Sequence, residues 1–384
     1  MNSKPLDIAV IGAGMGGLTS AATLRRIGAK VTIYEQAQKF ARIGAGIQQS
    51  PNAVKVLREL GLEPKLRAAA FQPALSRYKD AQGNLLSERG DDWAKRYGSP
   101  ILQLHRAVLH GLLASLVPPE IIQFNKKLTG IKDDGDSARL TFADGTTARH
   151  DVVIASDGVH SLLREWMHGA EKPTFTGRVA YRTTFPAALM GDNRIEESTK
   201  WMADDRHIVI YYINAQRSEI YFTTSVPEPD FNVESWSQQG DLNQLREHFK
   251  DFHPEVRNVL AACPSVHKWA IFERDPLPFW TQNNIALQGD ACHPMTPYMA
   301  QGAATAIEDA AILARCLDGV PLSGVAHALR KYEANRLPRT ARIQAVSRLN
   351  DPAKIKIEQE AVNSYEAWTV PLIEPTAPPR RAAG

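Results

Sequence analysis

A glycine-rich turn near the start of the chain constrains the fold more than any other feature. Residues 12–17 (GAGMGG) follow the apolar run 7–11 and precede a helical pattern over 18–27. In such a strand–turn–helix, the first glycine permits a tight turn, the second lets a pyrophosphate approach the backbone, and the third allows close helix–strand packing. The helix N-terminus offers N–H groups and partial positive charge to phosphates. The cofactor-binding residues predicted in this turn are Gly12, Gly14, Met15 and Gly17.

The residues after this turn complete a βαβ unit. Gly28 stands where a helix C-cap is expected, and a second apolar run, 31–34, ends at Glu35. An acid at this spacing accepts hydrogen bonds from a ribose, so Glu35 and its neighbour Gln36 are predicted to contact the cofactor. An ordinary tight turn is the alternative, and the motif alone does not distinguish FAD from NAD.

Composition narrows the classes of partner and compartment. The 384 residues include 45 basic and 42 acidic side chains, a net charge of +3 that predicts neither nucleic-acid nor membrane-surface binding. The cysteines, Cys263, Cys292 and Cys316, form no CxxC pair, so neither a disulfide scaffold nor a metal site is predicted. The N-terminus lacks a signal-peptide pattern and no apolar run is long enough to span a bilayer, which predicts a cytoplasmic protein.

Later segments alternate between two kinds of strand. The apolar runs 151–155 and 284–287 are typical of strands buried on both faces, whereas residues 175–225 are rich in aromatic and β-branched residues with partial alternation. Residues 303–346 have a helical period, and the chain is expected to be less regular after Asp351. The predicted fold class is α/β: a Rossmann-like dinucleotide-binding domain with an inserted antiparallel-sheet domain and C-terminal helices.

The predicted domains are discontinuous. The cofactor-binding domain is assigned to residues 1–73, 98–173 and 275–345, the substrate domain to residues 74–97 and 174–274, and a C-terminal segment to residues 346–384.

Two further motifs follow the later buried strands. Residues 157–164 read DGxxSxxR, and residues 289–294 read GDAxHP. Together with the glycine turn, they resemble the three signatures of the group A flavin-dependent aromatic hydroxylases, the para-hydroxybenzoate hydroxylase superfamily. The resemblance covers residues 7 to about 345. It implies bound FAD, transient use of NADH or NADPH, and reaction with O2 to hydroxylate a small aromatic acid.

The resemblance also implies roles for individual residues toward FAD. Glu35 would hold the adenosine ribose, and Asp290 would accept a hydrogen bond from a ribityl hydroxyl. Asp157 is associated in this superfamily with both FAD and NAD(P)H handling, whereas His293 is expected to be a packing residue. The remaining residues implied to contact FAD are Arg42 and Arg106 near the pyrophosphate, and Pro297, Gly302 and Ala303 against the flavin ring.

Within the superfamily, the chain most resembles the 6-hydroxynicotinate 3-monooxygenases. The stretches that carry this likeness are GAGI at 44–47, DRHIVIYY at 205–212 and CHPM at 292–295. They imply decarboxylative hydroxylation of 6-hydroxynicotinate to 2,5-dihydroxypyridine. The residues implied to act on the substrate are Tyr211 and His207 as catalytic residues, and Gln48, Tyr211, Tyr298 and Met299 as binding residues.

Two positions depart from the hydroxynicotinate pattern. Gln48 and Tyr298 stand where that pattern has histidines. Glutamine hydrogen-bonds a carboxylate or ring nitrogen but does not exchange a proton near neutral pH. Salicylate or 3-hydroxybenzoate hydroxylation is therefore an alternative, as are a flavin dehydrogenase or reductase without oxygen insertion and a non-catalytic nucleotide sensor. The residues leave open whether the protein is a monomer or a homodimer.

Overall fold

The computed structural model describes residues 4–40, 45–90, 92–231 and 238–376, so the predicted contact residue Arg42 lies outside the described residues. The strands are β1 (Asp7–Ile11), β2 (Lys30–Tyr34), β3 (Gly46–Gln49), β4 (Ser76–Asp80), β5 (Leu85–Arg89), β6 (Leu102–His105), β7 (Ile122–Gln123), β8 (Leu128–Asp133), β9 (Ala138–Phe142), β10 (Thr147–His150), β11 (Val152–Ala155), β12 (Thr174–Pro186), β13 (Ser198–Met202), β14 (His207–Tyr212), β15 (Glu219–Pro227), β16 (His267–Glu273), β17 (Thr281–Gln282) and β18 (Ile285–Leu287).

The helices lie mainly beside the first sheet and at the C-terminal end of the chain. They are α1 (Met15–Arg26), α2 (Pro51–Glu59), α3 (Glu63–Ala69), α4 (Trp93–Tyr97), α5 (Arg106–Ala114), α6 (Leu162–His168), α7 (Leu242–His248), α8 (Pro254–Ala262), α9 (Gly302–Leu317), α10 (Val325–Leu349) and α11 (Pro352–Asn363).

The first large sheet is the predicted dinucleotide-binding sheet. Its six strands have the order β17-β18-β11-β1-β2-β7 and are parallel except for the edge strand β17. Ile8, Val10 and Val152 are fully buried, as expected of strands covered on both faces. Since β1, β11 and β18 are adjacent and parallel, the three glycine-containing motifs that follow them meet at one edge of the sheet.

The second large sheet carries the aromatic strands. Its order is β16-β12-β15-β14-β13-β4-β5, and all pairs are antiparallel except β4 with β13. Side chains alternate along β14, so that Ile208, Ile210 and Tyr212 join a hydrophobic cluster with α7 and α8. The prediction of a Rossmann-like domain with an inserted, mainly antiparallel sheet is confirmed.

Each large sheet has its own hydrophobic cluster, one around Ile8 and Ile33 and the other around Trp201 and Phe222. The sequence-derived boundaries between the two domains stay a prediction. Smaller sheets of β8 to β10 and of β3 with β6 complete the fold. Within the described ranges, no helix combines the length and the apolar character needed to cross a membrane.

The expectation of irregular chain after Asp351 was wrong, because α11 occupies residues 352–363. The Asp351 carboxylate accepts hydrogen bonds from the N–H groups of Ala353 and Lys354, and a proline occupies the first helical turn. An aspartate N-cap followed by proline is a helix start signal that hydrophobic periodicity alone does not reveal.

Candidate active site

A cavity of about 470 Å³ lies where the carboxyl edge of the parallel sheet faces the second sheet. Its wall combines the turns after β1, β11 and β18 with the start of α9 and with strand residues of the second sheet. The principal wall residues are Gly14, Met15, Gln48, Arg106, Ser156, Arg182, Tyr211, Tyr221, Thr223, Trp269, Asp290, Pro297, Gly302 and Ala303.

The glycines of the first turn differ in the space around them. A Cβ on Gly12, whose φ is +95°, would lie 2.5 Å from the Ser156 carbonyl oxygen, and one on Gly17 would lie 2.0 Å from the Gly12 oxygen. A Cβ on Gly14 would meet nothing within 4 Å. The turn is therefore packed tightly against backbone atoms at Gly12 and Gly17, and it is open at Gly14, which lines the cavity. This bare backbone beside the N-terminus of α1 suits a pyrophosphate.

Glu35 is positioned by the end of β2 and by the glycine turn. Its carboxylate accepts hydrogen bonds from the N–H groups of Ala13 and Ala37, each at 2.8 Å. Each carboxylate oxygen keeps a further acceptor site, which suits ribose hydroxyls. Gln36, the next residue, is exposed, and neither side chain belongs to the cavity wall.

The residues predicted beside the flavin and ribityl chain lie at the other side of the same cavity. Asp290 is exposed to it, with Oδ1 3.8 Å from the place where a Cβ on Gly302 would stand. Gly302 and Ala303 form the first turn of α9, whose leading N–H groups have no partner within the helix. Such donors suit the negative charge of a reduced flavin ring. The residues present therefore fit FAD.

Asp157 lies at the end of β11 but not in the cavity wall. Its carboxylate accepts a hydrogen bond from the Leu162 N–H at 3.0 Å, and burial raises its pKa. This contact fixes the turn between β11 and α6. A role toward the cofactor or NAD(P)H stays a prediction.

A fully buried ion-pair network connects α9 to α10 and to His293. His293 Nε2 lies 2.6 Å from Asp309 Oδ2, and Arg336 Nε donates to Asp309 Oδ1 at 2.7 Å. Burial alone would raise the pKa of Asp309, but His293 and Arg336 outweigh it and lower that pKa. His293 thus contacts the carboxylate that anchors α9, in agreement with the packing role expected for it.

Strand alternation decides which tyrosine of the DRHIVIYY stretch faces the cavity. Tyr211 lies in the cavity wall with its ring 5.1 Å from that of Tyr221, whereas Tyr212 packs against Phe71 in the opposite cluster. Burial, with a smaller contribution from Tyr221, raises the pKa of Tyr211 well above its usual value. The Tyr211 phenol is therefore a hydrogen-bond donor at neutral pH.

The other predicted substrate residues divide into two groups. Gln48 lies in the cavity wall, but His207, Tyr298 and Met299 do not. The His207 ring lies 5.6 Å from that of Tyr298, whose hydroxyl is 3.0 Å from Ser225 Oγ. Met299 packs in a small cluster with residues of α10 and α11. The roles of these three residues toward a substrate stay predictions.

The protonation state of His207 follows from its surroundings. Burial lowers its pKa well below the usual value, and the nearby cations Lys200 and Arg178 lower it further. The imidazole is therefore neutral at physiological pH. Its unprotonated ring nitrogen can accept a hydrogen bond, but the lowered pKa makes the ring a weak base.

Sequence reasoning missed a cationic residue of the wall. Arg182 lies on β12 with its guanidinium 3.8 Å from the centre of the Trp269 ring. Burial lowers its pKa to about 10, opposed by Tyr221 and reinforced by Arg106, so it stays charged at neutral pH. An arginine in the interior of the apolar strand YRTTF was the signal that could have identified it.

The comparisons with known proteins agree with this geometry. The FAD binding domain family matches residues 5–347. The 6-hydroxynicotinate 3-monooxygenase of Bordetella bronchiseptica is 42% identical over 379 residues, covering 97% of this chain and 98% of that relative. The enzyme of the same name from Pseudomonas fluorescens is 39% identical, covering 98% of each chain.

A solved structure is similar over nearly the same length. Klebsiella pneumoniae HpxO complexed with FAD and uric acid superposes with a TM-score of 0.80 at 25% identity. The match covers 94% of this chain and 93% of that chain. That structure contains both FAD and uric acid.

Proposed function

Because the chain belongs to the FAD binding domain family and is an FAD-dependent aromatic-ring monooxygenase, we propose that its substrate is 6-hydroxynicotinate. Oxygen is inserted at ring carbon 3, the position given in the names of both relatives. The observation that carries the proposal is the placement of Tyr211, with its protonated phenol, in the same cavity wall as the cofactor-binding turns.

The ring chemistry of this substrate needs a donor of this kind. Carbon 3 bears the carboxylate and lies para to the ring hydroxyl. A hydrogen bond from Tyr211 stabilises negative charge on the ring oxygen, and that charge raises the electron density at carbon 3. Oxygen added there displaces the carboxylate as CO2. The substrate anion, O2, NAD(P)H and two protons then give 2,5-dihydroxypyridine, CO2, NAD(P)+ and water.

The wall residues bind and orient the reactants. Bound FAD would supply the redox chemistry by accepting electrons from NADH or NADPH and passing them to O2. Gly14, Asp290 and the start of α9 would hold it, as their open backbone and acceptor groups suit. Arg182 adds positive charge to a wall that receives an acid, and the surrounding aromatic side chains restrict water.

Steady-state turnover of the FAD-loaded enzyme tests the proposal. We expect 6-hydroxynicotinate to stimulate NADH or NADPH oxidation and O2 uptake, with 2,5-dihydroxypyridine formed in equal amount. Substrate labelled with ¹³C in the carboxylate should release labelled CO2. Salicylate and 3-hydroxybenzoate serve as competing substrates. Hydroxylation of either in place of 6-hydroxynicotinate would overturn the assignment.

A further inference from the structure

A buried amide connects the cavity residue Gln48 to the second sheet. The antiparallel register of β3 and β6 places Gln48 directly opposite Gln103, whose side chain is fully buried. Gln103 Nε2 donates to Gln48 Oε1 at 3.1 Å and to Ser198 Oγ at 2.8 Å. Ser198 is in turn the cross-strand partner of Tyr211. These hydrogen bonds, the Gln48–Gln103–Ser198 relay, therefore link the cavity residue Gln48 to the strand that pairs with Tyr211.

The orientation of the Gln103 amide follows from which of its ends has partners. Its nitrogen has two N–H groups, and Gln48 and Ser198 use both, while its Oε1 is buried without a hydrogen-bond partner in the described part of the chain. The reversed amide would bury two N–H donors without partners. Orphaned donors are rarer in proteins than under-satisfied carbonyl oxygens, so the orientation found is favoured.

This orientation determines what Gln48 offers to a ligand. Because the hydrogen bond from Gln103 holds the oxygen end of the Gln48 amide, the opposite end, which remains for a ligand, is the NH2 group, and it carries donors only. We propose that Gln103 is a positioning residue, anchored by Ser198, that fixes Gln48 as a hydrogen-bond donor to an anionic oxygen of the substrate. The inference rests on the proposed function, and the oxygen belongs either to the carboxylate or to the ring hydroxyl.

The proposal predicts a loss of affinity on removing the Gln103 amide. In the FAD-loaded enzyme without NAD(P)H, the change in flavin absorbance on titration gives the Kd of 6-hydroxynicotinate. We expect Q103M to raise this Kd about tenfold, because Gln48 is then free to rotate. Q49M is the matched control, since Gln49 is equally buried on the adjacent position but its amide does not contact the Gln48 side chain. Its Kd should stay within about twofold of the wild type.

A second variant reverses the polarity of the relay. In Q103E, an ionised carboxylate accepts from the Gln48 NH2 and turns the Gln48 oxygen toward the cavity, whereas the neutral acid still donates to Gln48. The Kd of Q103E should therefore rise with pH relative to the wild type and Q49M. A merely structural role for Gln103 would not produce this pH dependence. FAD content and Tm report whether each variant is folded.

Two analogues identify the oxygen that is bound. Nicotinate lacks the ring hydroxyl, and 2-hydroxypyridine, the same ring without the group at carbon 3, lacks the carboxylate. The Q103M penalty should vanish for the analogue without the oxygen that Gln48 contacts. Equal Kd values for wild type and Q103M, or equal penalties for all three ligands, would overturn the inference. Failure of the wild type itself to bind 6-hydroxynicotinate would instead overturn the proposed function, and this inference with it.

Discussion

Burial acts in opposite directions on the pKa values of two residues of β14, Tyr211 and His207. It raises the pKa of Tyr211, so this phenol keeps its proton, and it lowers the pKa of His207, so this imidazole loses its proton. Both effects have one cause, since a buried site disfavours the charged form of any group. The strand therefore presents a neutral donor in the cavity wall and a neutral acceptor outside it.

This protonation state gives a prediction for Tyr211→Phe. We expect kcat/KM for 6-hydroxynicotinate to fall about 10²-fold, because the variant loses a donor to a developing negative charge. Since the phenol stays protonated, the ratio of wild-type to variant rate should be constant from about pH 6 to about pH 9. Stopped-flow measurement of single-turnover hydroxylation isolates the step.

The neighbouring residue provides the control. Tyr212→Phe changes the same side chain on the opposite face of β14 and should leave the rate nearly unchanged. A wild-type-to-Y211F ratio that rises with pH would contradict the donor role, because it would mean that Tyr211 acts as an ionised base.

Substitutions in the glycine turn should separate an effect on FAD affinity from an effect on folding stability. In Gly14→Ala, the new methyl group meets no protein atom but occupies space at the open face of the turn. The backbone φ of −74° accepts alanine without strain. We expect the Kd for FAD, measured by flavin fluorescence, to rise at least about tenfold while the urea midpoint of the apoprotein is unchanged.

Gly17→Ala, in contrast to Gly14→Ala, should lower the stability of the fold. Its methyl group would lie 2.0 Å from the Gly12 oxygen, so the turn and α1 must separate. We expect the urea midpoint of the G17A apoprotein to be lower than that of the wild-type apoprotein. An unchanged midpoint for G17A, or an unfolded G14A, would contradict this division of roles.

At the scale of elements, α9 and α10 are joined by charges rather than by apolar contacts alone. Arg336 of α10 pairs with Glu308 and Asp309 of α9, each at 2.7 Å and with all three side chains fully buried. Removing the cation leaves carboxylates buried with fewer partners. We expect Arg336→Met to lower the free energy of unfolding at neutral pH by about 3–5 kcal/mol.

The pH dependence of this loss has a definite sign. Despite burial, nearby cations lower the folded-state pKa values of Glu308 and Asp309, so their contribution is present near pH 7 and is lost as pH falls. In R336M the carboxylates protonate more readily, and the deficit relative to wild type should shrink between about pH 7 and about pH 5. Lys331→Met, which removes from α10 a lysine whose ion pair with Glu374 is exposed to solvent, is the control and should cost less than about 1 kcal/mol. A deficit that grows at low pH would contradict the charge argument.

The elements that the sequence predicts well are those specified by neighbouring residues. The turn at 12–17 and the run 7–11 are contiguous, so spacing and periodicity were sufficient to predict them. The helix at 352–363 was missed because its main signal is a single capping aspartate, Asp351. The parallel pairing of β4 with β13 joins strands more than a hundred residues apart, and no local pattern encodes it.

The same distinction holds for the candidate site. Tyr211 and Gln48 were found through a family resemblance, and alternation along β14 could only say that one of two tyrosines faces inward. Gln103 lies 55 residues from Gln48 and 95 from Ser198, so its role depends on tertiary contacts alone. Arg182 had a local signal, a charge within an apolar strand, but its stacking partner Trp269 is on β16.

At the scale of the whole molecule, the two large sheets, each with its own hydrophobic cluster, meet at one cavity. The cluster of the parallel sheet and that of the second sheet share no buried side chain, yet both sheets contribute wall residues. A ligand in the cavity therefore contacts both parts at once and favours the state in which both are folded. The free energy of ligand binding then couples the folding of one part to the folding of the other.

This coupling predicts how unfolding changes when FAD is removed. Free FAD at about 100 times its Kd should stabilise the native state by about 2.7 kcal/mol, so the Tm should rise with FAD concentration. In calorimetry, the ratio of van't Hoff to calorimetric enthalpy should be near one for the FAD-loaded protein and lower for the apoprotein, because the clusters then unfold less cooperatively. G14A should show a smaller rise in Tm at equal FAD. Equal enthalpy ratios with and without FAD would mean that direct contacts between the two parts, rather than the shared ligand, maintain the cooperativity.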